Sequence, residues 1–336
     1  MKRLGKFLLY FAIAGAILLI AVISLTIGWR PFIGPKARPL TSRKFETTPQ
    51  RLERGRYVFE LGGCVGCHSQ HDWKTHGAPV ISGTEGGGQW LNMPDLPGRV
   101  VAPNLTPDLE TGAGGWTDDQ FARAIREGIS HDGRALFPMM PYESFRTMSD
   151  EDLASVVVYL RSLPAVHSQL AKTEIIFPVK YLIRSVPEPL EGPVASPDPS
   201  DHVKYGQYLV AVGGCGDCHT PQERGQPVAG FQYSGGARMR GPWGDVSTAN
   251  ITPDASGISY YDEALFIEVM RTGYVKAREL NSIMPFGAFK NLTDEDLKAM
   301  FAYLRTVKPV QHRVDNAQPP TYCKLCRQKH GGGDQN

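Results

Sequence analysis

The sequence has no marked excess of charge of either sign and no cysteine outside a paired motif. Thirty-six Lys and Arg residues nearly balance 34 Asp and Glu residues, and the net charge of +2 gives no electrostatic case for a nucleic-acid partner. Because no cysteine is isolated, incidental use is excluded, and the pairing indicates cofactor chemistry or, in an exported protein, disulfides. The pairs are Cys64/Cys67, Cys215/Cys218 and Cys323/Cys326.

A long apolar run occurs at the N-terminus. Three basic residues among the first six precede an uncharged run from Phe7 to Trp29, which as a helix would reach about 35 Å and span a bilayer. The alternative, a cleaved signal peptide, usually has a shorter apolar core and a small-residue cleavage site, whereas Gly28 and Trp29 end this run. The positive-inside rule then leaves residues 30–336 outside the cytoplasm. We expect a single-pass anchor in the inner (cytoplasmic) membrane, with the remainder in the periplasm.

Little in the sequence is typical of a β-sheet, but the chain contains an internal repeat. Each copy is about a hundred residues, a normal domain size. A Pro-rich stretch, 187–199, is interpreted as the linker between two domains. The matching segments are 54–69 (RGRYVFELGGCVGCHS) with 205–220 (YGQYLVAVGGCGDCHT), 102–108 with 248–254, and 140–163 with 284–307.

The elements that can be predicted within each copy are helices. The last helix begins at Ser149 or Thr293 as N-cap, with an aspartate three residues later. Its apolar residues recur at i, i+3, i+4 and i+7, and we expect this stripe to pack on the short helix before the first cysteine. A third helix is predicted over 118–127 and 262–272. The packing residues would be Leu153, Val156, Val157 and Leu160 against Tyr57 and Leu61, and Leu297, Met300, Phe301 and Leu304 against Tyr208 and Val212.

Two of the cysteine pairs are followed directly by histidine. C-x-x-C-H is typical of c-type haem attachment, because two thiols reach the two vinyl groups of one porphyrin while the adjacent imidazole reaches the iron. A redox dithiol or half of a zinc site would not require histidine after both pairs. The sequence therefore predicts two covalently bound haem c groups, held by Cys64, Cys67 and His68 and by Cys215, Cys218 and His219.

The sixth ligand of each iron distinguishes two functions. His/Met ligation is typical of an electron carrier, whereas an open sixth position allows substrate chemistry. Only methionines with a counterpart in the other copy are candidates, which leaves Met140 with Met284 and Met93 with Met239. We favour Met140 and Met284 because each precedes a proline in a turn that can present the sulfur. Met93 and Met239 are interpreted as filling gaps in the core.

Three smaller questions stay open at this stage. A loop carbonyl near Pro79 and Pro227 would orient the ligating imidazoles, or these residues only form a turn. A second set of residues that recurs in both copies would bind the haem propionates, or its members only cap a turn. These residues are Asn104, Thr106, Asn250 and Thr252. Histidines without a counterpart are predicted to be solvated loop residues: His71, His76 and His131.

The third pair, Cys323 and Cys326, is followed by Arg327 and then by a short segment in which a third haem domain would not fit. A local disulfide is the favoured interpretation. A metal site that uses His330 and ligands from elsewhere is the second, and a regulatory dithiol the third.

These motifs resemble the class I cytochrome c family in tandem, and in particular the multihaem cytochrome c subunits of membrane-bound alcohol, aldehyde and gluconate dehydrogenases. The resemblance covers about residues 50–312, although those subunits carry three haem motifs and this chain two. It implies an all-α fold with His68 and His219 as proximal ligands and Met140 and Met284 as distal ligands. The expected division is an anchor at 1–32, a linker at 33–50, cytochrome c domains at 51–166 and 201–312 separated by a Pro-rich linker at 167–200, and a C-terminal tail at 313–336.

The resemblance implies an electron carrier rather than an enzyme by itself. The expected partners are a membrane-bound dehydrogenase or quinol-oxidising complex as donor and a terminal electron acceptor of a respiratory chain. The alternative is a diheme enzyme of the peroxidase or thiosulfate-oxidising type, in which one haem would lack His/Met ligation. The matched residues Met140 and Met284 favour the carrier.

Overall fold

In a computed structural model that describes residues 2–336, the apolar N-terminal segment forms one long helix, α1 (Lys2–Leu25). Its stretch Arg3–Leu25 has a mean hydropathy of 2.7, and none of it is buried against the rest of the protein. Among the described residues this is the one helix long and apolar enough to cross a membrane. An N-terminal signal sequence has the same character, so a retained anchor stays a prediction.

The two copies of the repeat fold into the same succession of helices. A long helix precedes a short one that carries the C-x-x-C-H motif, and three further helices follow. The helices after α1 are α2 (Arg30–Ile33), α3 (Pro49–Leu61), α4 (Cys64–His68), α5 (Asp118–Glu127), α6 (Tyr142–Phe145), α7 (Asp150–Ser162), α8 (Val179–Leu182), α9 (His202–Val212), α10 (Cys215–His219), α11 (Glu263–Thr272), α12 (Phe286–Phe289) and α13 (Asp294–Leu304).

The predicted helix pairing is confirmed, since α7 packs on α3 and α13 packs on α9. Ser149 and Thr293 are the N-caps of α7 and α13, each accepting a hydrogen bond from the backbone N–H three residues later. The apolar stripes of both helices are buried. Where the helices cross, a Cβ atom on Gly55 would collide with the carbonyl oxygen of Ser155, and one on Gly206 with that of Ala299. The close approach of each pair therefore depends on glycine.

Short two-stranded antiparallel sheets lie in the loops, so the prediction of a purely α-helical protein needs correction in this respect. Their strands are only two to four residues long, which is too short to show an alternating pattern in the sequence, and one pair, β2 with β4, joins segments far apart along the chain. The pairs are β1 (Gln89–Trp90) with β3 (Val101–Ala102), β2 (Gly98–Arg99) with β4 (Glu174–Ile175), β5 (Gln222–Glu223) with β6 (Gln226–Pro227), β7 (Arg238–Gly241) with β8 (Gly244–Ser247), β9 (Tyr274–Val275) with β10 (Arg278–Glu279), and β11 (Pro320–Tyr322) with β12 (Lys329–Gly331).

One hydrophobic core runs through both repeats. Tyr57 and Tyr208 pack in this core, and the hydroxyl group of each also reaches the other repeat, which the sequence did not predict. Tyr57 donates to the carboxylate of Asp296 at the start of α13, and Tyr208 donates to Asp152 at the start of α7 at 2.5 Å. These reciprocal bonds fix the relative position of the two repeats.

The segment between α2 and α3 lies along α5. Arg38 forms a bidentate pair with the buried Asp119 at 2.7 and 2.8 Å and also donates to Glu127 at 2.8 Å. The backbone N–H of Phe45 donates to Asp118 at 2.6 Å. This segment is therefore held against the first repeat by buried carboxylates.

The third cysteine pair lies at the tip of the β11–β12 hairpin. Cys323 and Cys326 are free thiols rather than a disulfide, and both are buried. They lie beside two buried histidines, His312 and His330.

Candidate haem sites

Each C-x-x-C-H motif forms a short helix, α4 or α10, that starts from a glycine. Gly63 and Gly214 precede the first cysteines and have φ of 63° and 64°, in the left-handed region that glycine adopts without strain. The helix places residues i, i+3 and i+4 on one face, which brings the two thiols and the imidazole of a motif together. The sequence thus builds two equivalent three-residue sites.

The imidazole ring of each motif is buried and held by a backbone carbonyl. His68 Nδ1 donates to the Pro103 carbonyl at 2.8 Å, and His219 Nδ1 donates to the Ala249 carbonyl at 2.7 Å. Burial lowers the pKa of both imidazoles, which favours the neutral form that binds a metal. With Nδ1 engaged, Nε2 of each ring carries the free lone pair.

The carbonyls that hold these rings are not the ones considered from the sequence. The Pro79 carbonyl instead accepts a hydrogen bond from the backbone N–H of Asp72 at 3.0 Å, within a turn. Pro103 and Ala249 occupy equivalent positions in the repeated segments 102–108 and 248–254. The repeat of these segments was the one sequence feature that could have pointed to the two carbonyls. Which loop passes behind each imidazole, however, depends on contacts between residues far apart in the sequence.

The repeated asparagines and threonines cap turns. Asn104 Oδ1 accepts from the backbone N–H of Thr106 at 2.9 Å, while Asn104 Nδ2 donates to the Val166 carbonyl at 2.7 Å. Asn250 makes the corresponding bonds with Thr252 at 2.9 Å and with the Val310 carbonyl at 2.8 Å. These side chains tie the loop behind each imidazole to the chain that follows the last helix.

A cavity of about 2650 Å³ lies beside the first motif. It is far larger than an ordinary small-molecule pocket of about 300–1,000 Å³. Residues of both repeats form its wall, among them Cys64, Cys67, His68 and Met140 from the first and Cys218 from the second. Burial, then the neighbouring Asp217 and Cys67, raises the pKa of the Cys218 thiol to about 12. Thiols of both motifs therefore lie on the wall of one cavity.

The favoured methionines occupy equivalent turns. The carbonyl of Met140 accepts from the N–H of Tyr142 at 2.8 Å, and that of Met284 accepts from the N–H of Phe286 at 2.8 Å. Both methionines are half-buried and pack against the core. Each turn thus presents its methionine from the same local structure in both repeats.

Met93 and Met239 do not fill core gaps. Both are half-buried on the wall of the large cavity, so that interpretation is wrong. Their backbones differ, because Met93 lies in a loop and Met239 in strand β7. Met93 and Met239 are equivalent in sequence but differ in backbone structure. They are therefore weaker candidates than Met140 and Met284 for the sixth ligand of the two irons.

The residues present fit a haem group. In the first repeat, the two thiols, the imidazole and the thioether of Met140 all line this cavity, and they are the donor types of a c-type haem with His/Met ligation. Trp243 contributes a buried indole N–H that has no acceptor among the described residues, and its side chain lines the same cavity. A porphyrin carboxylate would satisfy such a donor.

Of the three unmatched histidines, His76 and His131 are exposed loop residues, as predicted, whereas His71 is not. His71 is half-buried, with Nδ1 2.6 Å from the Ala78 carbonyl and Nε2 3.0 Å from the Val65 carbonyl. The exposed His76 contacts the second repeat, as Nδ1 lies 2.7 Å from Glu279 Oε1 and Nε2 2.7 Å from the Thr272 carbonyl. The exposed His131 packs on Trp116 with ring centroids 4.5 Å apart.

Comparison with known proteins identifies relatives that share most of this chain. It is 32% identical over 235 residues to a component of the nicotinate dehydrogenase of Pseudomonas putida, covering 66% of this chain and 18% of the relative. It is 27% identical over 303 residues to the cytochrome c subunit of the quinone-type alcohol dehydrogenase of Gluconobacter oxydans, covering 84% and 60%. It is 29% identical over 267 residues to a diheme cytochrome c-type protein of Cereibacter sphaeroides, covering 77% and 86%.

The chain thus spans less than two thirds of the length of the first two of these relatives. The cytochrome c family model matches residues 52–164 and 203–308, one segment in each repeat. Covalently bound haem c is what such domains imply. On the match of both repeats, the chain belongs to the cytochrome c family.

Proposed function

We propose that this chain is a membrane-anchored diheme cytochrome c that carries electrons from a dehydrogenase or quinol-oxidising complex towards a terminal acceptor. Each haem supplies a one-electron change at its iron. The domains at 51–166 and 201–312 lie in the periplasm and α1 stays in the membrane. The chain has no substrate reaction of its own.

The residues of each domain hold, orient and bury one haem. Cys64 and Cys67, and likewise Cys215 and Cys218, would form thioether bonds to the porphyrin. His68 and His219 would be the proximal ligands, each oriented by the carbonyl that accepts its Nδ1–H. Met140 and Met284 would be the distal ligands, and His/Met ligation would raise the reduction potential.

The observation that carries the proposal is the equivalence of the two sites. Both imidazoles donate to carbonyls at the same repeat position, at 2.8 and 2.7 Å, and both methionines lie in the same hydrogen-bonded turn. An enzyme would need one open or differently ligated iron, and two matched sites suit a carrier. The position of Cys67 and Cys218 on one cavity wall favours direct electron exchange between the haems.

The ligand assignment is tested by the visible spectrum of the oxidised protein. Met140→Leu should remove the methionine-sulfur charge-transfer band of one haem and lower its reduction potential, and Met284→Leu should do the same for the other. Met93→Leu, also on the cavity wall, is the matched control and should leave both bands in place. High-spin iron in the unmodified protein, or loss of a band in Met93→Leu instead of Met140→Leu, would contradict the assignment.

The donor complex is inferred from relatives that are named as dehydrogenase subunits, including the cytochrome c subunit of the alcohol dehydrogenase of Gluconobacter oxydans. Purification from native membranes in mild detergent should co-elute a catalytic dehydrogenase or quinol-oxidising subunit, and its substrate should reduce both haems. If the chain elutes alone and no co-purified fraction reduces it, the proposed donor class is wrong.

A further inference from the structure

The C-terminal hairpin brings four potential metal ligands into one buried cluster outside the haem sites. His312 is the last residue of the second cytochrome domain, Cys323 follows β11, Cys326 lies in the hairpin turn and His330 lies in β12. All four are 0% exposed. Their ligand atoms lie within 4.8 Å of one another.

The separations match a tetrahedral ion. Zinc bonds of about 2.3 Å to sulfur and about 2.0–2.1 Å to nitrogen place two ligand nitrogens about 3.3 Å apart and a nitrogen and a sulfur about 3.6 Å apart. His312 Nε2 lies 3.1 Å from His330 Nε2 and 3.5 Å from Cys323 Sγ. These two separations are close to those of a Cys₂His₂ zinc site, and Cys326 Sγ lies within 4.8 Å of the other three ligand atoms.

Both rings also direct lone pairs at the same point. His312 Nδ1 donates to the Ser234 carbonyl at 2.9 Å, and His330 Nδ1 lies 3.1 Å from the Gly331 carbonyl. With the protons on Nδ1, both Nε2 atoms are acceptors, and two acceptors 3.1 Å apart repel unless a cation lies between them.

We propose that His312, Cys323, Cys326 and His330 bind one structural Zn²⁺ ion. Binding releases the two thiol protons, so the ion, two thiolates and two neutral imidazoles form a site of zero net charge, which is compatible with full burial. Four protein ligands leave no open position, and zinc has no redox chemistry, so the ion takes no part in electron transfer.

The ion would fasten the tail to the second cytochrome domain. The Ser234 carbonyl that orients His312 belongs to a loop whose next residue, Gly235, donates its N–H to the His219 carbonyl at 2.7 Å. Arg327 and Gln328 add contacts to β5, at 2.8 Å to Glu223 and 2.7 Å to the Gln222 carbonyl. The metal site thus supports the loop beside the second C-x-x-C-H motif.

The spacing H-x₁₀-C-x₂-C-x₃-H is the signal that the sequence offers for this site. A C-x-x-C pair followed by a nearby histidine is a common zinc pattern. The fourth ligand, His312, lies outside the hairpin, and folding alone brings it to the pair. A disulfide between Cys323 and Cys326 would remove both thiolates and is the competing state.

The test is metal analysis of the full-length protein, matured with its cofactors and purified in detergent. We expect one zinc per polypeptide, counted by quantitative amino-acid analysis so that the result does not depend on the number of haems. X-ray absorption at the zinc edge should show two sulfur and two nitrogen ligands at about 2.3 and 2.0 Å.

Variants of His312 and His330 test whether these histidines bind the metal ion or only pack in the protein interior. His330→Ala and His312→Ala should lose zinc, whereas His330→Cys should retain it with three sulfur ligands. His202→Ala, an exposed histidine of the same domain, is the matched control and should keep the ion. Zinc retained in both alanine variants, or lost from His330→Cys while the protein stays folded, would overturn the assignment.

Chelation and limited proteolysis test the structural role. Removing zinc with a strong chelator should expose the hairpin to trypsin at Lys324, Arg327 and Lys329 and increase the cleavage rate at least tenfold. The contrary result is a protein that contains no zinc, has a mass two hydrogens below that of the reduced chain and is unaffected by the chelator. This result would establish a disulfide between Cys323 and Cys326 and overturn the proposal.

Discussion

The segment before α3 is attached to α5 by a few side-chain contacts, and those of Arg38 with Asp119 and Glu127 are the clearest example. Burial raises the pKa of Asp119, but the Arg38 guanidinium outweighs burial and keeps that pKa below its usual range. Glu127, which shares the same guanidinium, is so buried that its pKa is raised. Arg38 is thus the cation that allows two buried carboxyl groups to lie together.

Arg38→Ala should therefore lower the free energy of unfolding by about 3–5 kcal/mol, the usual cost of removing one partner of a buried ion pair. Arg51→Ala is the control, because its partner Glu151 is 56% exposed and such pairs contribute about 0–1 kcal/mol. Urea unfolding followed by far-ultraviolet circular dichroism measures both. Equal losses in the two variants would show that the segment does not depend on the buried pair.

At the scale of single residues, the sequence predicted those features of the site that depend on the spacing of residues within a short segment. C-x-x-C-H predicted two sites of two thiols and an imidazole, and the repeat pointed to Met140 and Met284. It could not predict that Pro103 and Ala249 supply the carbonyls, because that depends on the path of a loop far along the chain. The role of His312 was missed for the same reason.

At the scale of elements, the crossing of α3 with α7 and of α9 with α13 is the feature on which each domain depends. Their caps and apolar stripes were predictable because both arise within one helix. The short sheets and the tyrosine bonds between the repeats were not, since two-residue strands leave no alternation and Tyr57 finds its partner, Asp296, in the other repeat.

Gly55→Ala should destabilise the first domain by about 1–3 kcal/mol or more, because the added methyl group meets the backbone of Ser155 and forces the helices apart. Gly206→Ala should have the same effect on the second domain. Gly115→Ala, where a Cβ meets nothing within 4 Å, should change stability by no more than about 0.5 kcal/mol. Thermal unfolding distinguishes them, and a Gly55→Ala protein as stable as the control would exclude the close crossing.

At the scale of the whole molecule, the two domains are joined by a continuous core and by polar contacts, one of which is made by a histidine. His76 of the first domain lies against the Thr272 carbonyl and the Glu279 carboxylate of the second, and these two groups raise its pKa. Protonated, the ring can donate from both nitrogens, whereas the neutral ring can donate from one.

A pKa that is raised on folding stabilises the protein fully below the unfolded value, about 6.5, and the contribution is lost as the pH rises through the folded value. The difference in melting temperature between the unmodified protein and His76→Gln should therefore be largest near pH 6 and shrink towards pH 8. Glu279→Gln should reduce this dependence, while the exposed His202→Gln should not. A difference that grows with pH would mean that His76 is neutral in the contact.

The number of haems that stay bound after denaturation tests the central claim most directly. Protein matured in a host that makes c-type cytochromes should keep two haems per polypeptide after extraction with acidified acetone, as measured by the pyridine haemochrome spectrum. Cys64→Ala/Cys67→Ala and Cys215→Ala/Cys218→Ala should each keep one. Release of the pigment by acid, or fewer than two haems on the unmodified chain, would contradict the account.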